Sequence, residues 1–136
     1  MKKRVLFMLL LAFLLCGQVM AQSAESYYKR GMRNVEKAQK IRSDYYAQIV
    51  ANPNADVNID WKSYEKLHTQ AIVEFTKAIE RNKKYTEAYY QRGIVYYQIS
   101  DYKKAIADFE TVLKLDPDHS SAKDYLKRAQ EEASKK

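Results

Sequence analysis

Two histidines, one cysteine and a run of Asn and Asp are the side chains in this 136-residue chain whose types invite a search for chemistry. His68 and His119 lie 51 residues apart, and neither has a nucleophile or metal ligand at a recognisable spacing. His68 follows Glu65 by three residues on a helical stretch, which reads as a surface pair and not as an acid–base dyad. Asn54, Asp56, Asn58 and Glu65 fall at positions 1, 3, 5 and 12 of a calcium-loop spacing. The sixth position is Ile59, where the sharp bend calls for Gly, so the stretch reads as an Asn/Asp-rich turn. Glycine-rich phosphate loops, paired-carboxylate motifs and metal-ligand clusters are missing from the sequence, which implies no cofactor and a non-enzymatic role.

The first residues carry an address. Lys2, Lys3 and Arg4 precede an unbroken apolar run from Val5 to Leu15, the pattern of a secretory signal peptide with a cut expected after Ala21. The alternative is an uncleaved anchor helix, although the run is short for a membrane span. Cys16 sits at the end of that run. It is a filler lost with the peptide or, less in keeping with Leu15 before it, the lipid-modified first residue of a lipoprotein. Residues 1–21 are thus set aside, and residues 22–136 form one domain, periplasmic or secreted, with membrane contact at most peripheral. Loss of Lys2, Lys3 and Arg4 lowers the net charge from +7 to +4. A mild basic excess in an exported chain favours acidic partners over nucleic acid.

The elements that position these residues are helical. Pro is confined to two positions and Gly to three, while Ala, Lys, Glu and Gln are frequent, as in an all-α domain. Within residues 86–119, Tyr89, Gly93, Tyr96, Ala105, Phe109 and Pro117 keep fixed offsets over a 34-residue unit, with Arg92 where a Leu would stand. This unit resembles a tetratricopeptide repeat. The resemblance implies two antiparallel helices, about 86–99 and then to about 116, in a right-handed superhelix segment, with Gly93 letting its neighbour approach against Ala105. Beyond Pro117, Ser121 and Asp124 suggest a capping box that opens a last, shielding helix over 120–136.

The same unit is visible earlier in broken form. Tyr27, Tyr28, Arg30 and Gly31 repeat Tyr89, Tyr90, Arg92 and Gly93, and Ala71, Phe75 and Ala78 repeat Ala105, Phe109 and Val112. Gly31 to Ala71 spans 40 residues where Gly93 to Ala105 spans 12, so 28 residues interrupt a first repeat that covers 22–85. Val35, Ala38, Ile41, Tyr45 and Ile49 keep helical steps, as do Trp61, Tyr64, Leu67 and Ala71, so the insertion is a lengthened hairpin around the breaker at 52–60 with Asp60 as N-cap. Two registers are open. With Ile41 near Ser63, the tip residues Tyr45, Tyr46, Ile49 and Val50 are left over, either folded under the loop or exposed as a partner-binding surface. With Ile41 beside Ala71, all of the tip is buried.

What the resemblance implies for function is binding of protein segments. Its groove positions fall on Tyr28, Met32 and Val35 and on Tyr90, Ile94 and Tyr97, with Glu25, Glu36, Glu87 and Gln98 beside them. Such a groove suits an extended or helical peptide. The family's Asn/Lys clamp for a C-terminal carboxylate is not evident, since Met32 and Ile94 occupy groove positions where it places polar residues. The alternatives are a covered groove in which Tyr28 and Tyr90 pack internally, and a permanent assembly subunit whose tyrosine-rich faces are fixed interfaces.

Overall fold

The computed structural model describes residues 2–54 and 56–135, with side chains from Ser23 onward. The export signal read from residues 1–21, with Cys16 inside it, lies outside the described side chains. Five helices follow one another: α1 Lys2–Ala51, α2 Trp61–Arg81, α3 Thr86–Gln98, α4 Tyr102–Leu115 and α5 Ser120–Ser134. Each packs on its successor, α1 with α2 and α3 with α4 as hairpins, and α5 closes the stack against α4 and α3. The fold is all-α.

Helix ends follow local chemistry. Asp60 caps α2 by accepting from the Ser63 amide at 3.0 Å, and Asp101 caps α4 through the Lys104 amide at 3.3 Å. Ser100 joins α3 to α4 in the left-handed region, φ 62°, where the chain reverses without a glycine. The expected capping box at Ser121 and Asp124 does not open α5. Instead the turn at Asp116–His119 starts the helix at Ser120, and His119 Nδ1 accepts from the Ala122 amide at 3.2 Å.

Each hairpin is centred on one phenylalanine. Phe75 and Phe109 are fully buried, and each lies against a glycine of the preceding helix. A Cβ at Gly31 would stand 2.5 Å from Phe75 Cε1, and one at Gly93 would stand 2.8 Å from Phe109 Cε1. Gly93 therefore lets α4 approach closely, and the Phe109 ring of that helix fills the space a side chain would need.

The contacts of Gly31 with Phe75 and of Arg30 with Glu74 set the register of the long hairpin. Run antiparallel at equal rise, they bring Ile41 level with the first turn of α2 and not with Ala71. The last turns of α1 therefore pass beyond the start of α2. Ile59 folds back and is buried where Ile41, Tyr45 and Asp60 meet, so the loop covers part of the tip.

Candidate functional site

The two hairpins share a four-residue device. Arg30-Gly31 faces Glu74-Phe75, and Arg92-Gly93 faces Asp108-Phe109. Arg92 grips Asp108 with two bonds, Nε to Oδ2 at 2.8 Å and Nη2 to Oδ1 at 2.7 Å, while its Nη1 donates to Thr76 Oγ1 at 2.9 Å. One guanidinium thus joins α2, α3 and α4. Burial pushes the Asp108 carboxyl above the usual carboxylate range, and the Arg92 charge opposes that rise. Arg30 binds Glu74 at 2.6 Å on the open side of the stack. There burial of Glu74 is outweighed by Arg30 and Lys77, which hold its carboxyl below the ordinary range. The sequence signal for this device was the recurrence of Arg before Gly together with an acid before each Phe.

The groove candidates lie along the seams between helices. Tyr28 lies tilted at 5.8 Å from Phe75 and 5.2 Å from Tyr85, and Tyr90 meets His119 at 4.6 Å and Tyr125 at 6.1 Å. Tyr97 packs at 5.8 Å from Tyr125, Ile94 joins the same cluster, and Met32 borders the cluster of Val35, Phe75 and Val95. Val35 itself is buried and offers no surface. The repeat explains this placement: Tyr28 touches α3 as Tyr90 touches α5, because each faces the next helix of the stack. Acids border the first seam. The Tyr85 hydroxyl donates to Glu25, and burial, with Glu87 and Glu25 nearby, pushes Tyr28 up to about 12.

At the hairpin tip the four candidates divide. Tyr45 and Ile49 are half-buried, whereas Tyr46 and Val50 are 59% and 81% exposed, beside Trp61 at 61%. Trp61, not among the sequence candidates, stands edge-on to Tyr64 at 5.7 Å and widens the apolar tip. Its position at the first residue of α2, level with Tyr45 and beneath the overrunning last turns of α1, could have suggested this. A second surface that sequence reasoning missed is a groove of about 380 Å³ between α1 and α2, with Arg33 and Lys37 on one wall and Gln70 and Val73 on the other. The recurrence of cations at 30, 33 and 37 along α1 was its sequence signal.

Residues 86–119 match the family model described as tetratricopeptide repeat. The fold agrees with the first tetratricopeptide repeat domain of Spaghetti (RPAP3), solved bound to the HSP90 peptide SRMEEVD, at TM-score 0.50 and 23% identity over 84% of this chain and 95% of that one. The chain is a tetratricopeptide-repeat protein. Among curated proteins it is similar to serine/threonine-protein phosphatase 5 of Rattus norvegicus, 32% identical over 104 residues that make up 74% of this chain and 20% of that protein. It is also similar to tetratricopeptide repeat protein 14 of Mus musculus, 41% identical over 59 residues, 43% of this chain and 8% of that one. The chain spans about a fifth of the length of the phosphatases it matches. Tetratricopeptide repeats mediate protein–protein interaction, and this chain carries that kind of module.

In this tetratricopeptide-repeat protein the histidines hold structure together. His68 is buried, not paired with Glu65 at the surface: Nδ1 lies 2.8 Å from the Tyr64 carbonyl oxygen and Nε2 lies 3.0 Å from Gln98 Oε1. Gln98 of α3 reaches back to α2 and so turns a helix-surface position into an interior one. Of the loop set weighed for calcium, Asn54, Asp56 and Asn58 are exposed in the turn and Glu65 is exposed on α2. Among the described residues no three His, Cys, Asp or Glu side chains are grouped to hold a metal ion.

Proposed function

We propose that this tetratricopeptide-repeat protein is an exported, non-catalytic adaptor that holds a segment of another envelope protein. The observation that carries the reading is the intact repeat at 86–119 stacked on an interrupted copy of itself. A domain of the same fold holds a short peptide, which supports a segment as the ligand. Export rests on the Lys2–Arg4 cluster and the apolar run after it, with lipid attachment at Cys16 as the minor alternative. Support for a non-catalytic role comes from the two histidines: both nitrogens of His68 are taken up within the fold, and His119 Nδ1 caps α5. The ligand would lie along the partly exposed edges of Tyr28, Met32, Tyr90, Ile94 and Tyr97, with Val35 supporting them from below.

A second reading, a permanent assembly subunit, is favoured by the tip, where Tyr46, Val50 and Trp61 expose apolar surface at the end farthest from the second repeat. Photo-crosslinkers placed at Met32, Ile94 and Val50 in cells separate the two. An adaptor crosslinks through Met32 or Ile94 and elutes alone on a sizing column after purification. A subunit crosslinks through Val50 and elutes with its partner. Absence of a crosslinked protein from all three positions refutes both. Export is checked by mass spectrometry of the mature N-terminus, and an intact Met1 on cytoplasmic protein would overturn it.

A further inference from the structure

The groove between α1 and α2 lies on the side of the first hairpin turned away from α3. In the second repeat the matching face is filled: Arg92 reaches Thr76 of α2, and Val95 is buried with Val35, Ala71 and Phe75. At the first repeat, by contrast, Arg33 stands where the buried Val95 stands, and Lys37 where Ile99, itself 41% exposed, stands. Where the second repeat seats Val95 against the hairpin before it, the first presents a cationic slot of about 380 Å³.

Its lining has unused donors. Arg33, Lys37, Asn34 and Gln70 make no ion pair or side-chain hydrogen bond among the described residues. Glu74, the one acid among the lining residues, is already shared by Arg30 at 2.6 Å and Lys77 at 3.3 Å. We propose that this slot docks an extended acidic segment of a partner protein, with two carboxylates on Arg33 and Lys37 and main-chain carbonyls on Asn34 and Gln70. Arg33 and Lys37 are one turn apart, about 6 Å along α1. Alternate side chains of an extended strand are spaced about 6.6 Å, so a Glu-x-Glu pair reaches both. A helical ligand would keep its own carbonyls paired and leave the two amides unused. Val73, nearly half exposed, gives the intervening residue an apolar wall. The lining contains no aromatic ring on which bases could stack, which favours a peptide over a single-stranded nucleic acid.

The proposal rests on the interaction reading for its protein partner but not on the tyrosine-lined face. Its test uses the full chain and a fluorescein-labelled peptide of alternating Glu and Ser, followed by anisotropy. Saturable binding is expected, weakened at least tenfold by Arg33→Glu with Lys37→Glu and largely kept by Arg33→Lys. Both residues are exposed and, among the described residues, make no ion pair, so circular dichroism should show the fold unchanged. Equal affinity in the charge-reversed protein, or no binding of the peptide, overturns the proposal. So does tighter, Arg33- and Lys37-dependent binding of an oligothymidylate or of phosphatidylglycerol vesicles, which would assign the slot to nucleic acid or membrane. If the slot fails while Met32 or Ile94 still crosslinks a partner, the adaptor reading stands without it.

Discussion

The two Arg–acid pairs occupy equivalent places in successive repeats but should differ several-fold in energy. Arg92 and Asp108 have side chains 16% and 7% exposed, whereas Arg30, at the open end of the stack, is 43% exposed. Two unit charges about 4 Å apart attract by ~4 kcal/mol at the effective dielectric of about 20 that suits such sites. Removing one partner of a buried pair costs ~3–5 kcal/mol, mainly because the other charge stays buried and uncompensated. In Asp108→Ala, Arg92 would keep Thr76 as a partner and a sliver of solvent, so a loss near ~3 kcal/mol is expected, at the lower end of that range. Replacing both, Arg92→Leu with Asp108→Leu, should cost far less than Asp108→Ala alone, since a packed apolar pair carries no desolvation penalty. The Arg30–Glu74 cycle should give a much weaker coupling that fades in high salt, because the exposed Arg30 is screened by solvent. Urea unfolding followed by circular dichroism, on both cycles at two salt concentrations, measures this. Equal couplings, or a loss below ~1 kcal/mol for Asp108→Ala, would refute the argument that the preceding hairpin decides the strength of each pair.

Three further outcomes are expected. Gly31→Ala and Gly93→Ala should each destabilise by ~1–3 kcal/mol from ring overlap, offset by about 1 kcal/mol of helix propensity, with Gly31 the worse because its Cβ would stand closer to the ring. Chemical denaturation checks the ranking, and stabilisation in both would show that the rings yield freely. Ser100→Gly relieves a left-handed residue and should raise stability by ~0.5–1 kcal/mol, visible as a higher melting temperature. The Glu74 carboxyl is held low in the folded chain, so its contribution is present at neutral pH and is lost as pH falls through and below the ordinary carboxylate range. Glu74→Gln should therefore be less stable at pH 7 and show a flatter loss of stability toward acid; a parallel acid limb would mean that other carboxylates set it.

What the amino-acid order determined by itself is what depends on neighbours along the chain. Gly31, Gly93, Phe75 and Phe109 recur at repeat offsets, Asp60 and Asp101 stand where helices must be capped, and Pro53 and Pro117 end helical runs, because periods and caps are satisfied within a few residues. The interruption of the first repeat was legible for the same reason. The tertiary structure alone decided which faces are covered. His68 is buried because Gln98, 30 residues on, reaches it, and Tyr28 and Tyr90 became seam residues because α3 and α5 lie over them. The register that leaves Tyr46, Val50 and Trp61 exposed follows from how far α1 overruns α2, and the slot beside Arg33 and Lys37 from the way the faces of α1 and α2 meet. One sequence pattern is compatible with either face being free; burial is a property of the stack, and the stack is set by contacts between residues far apart in the chain.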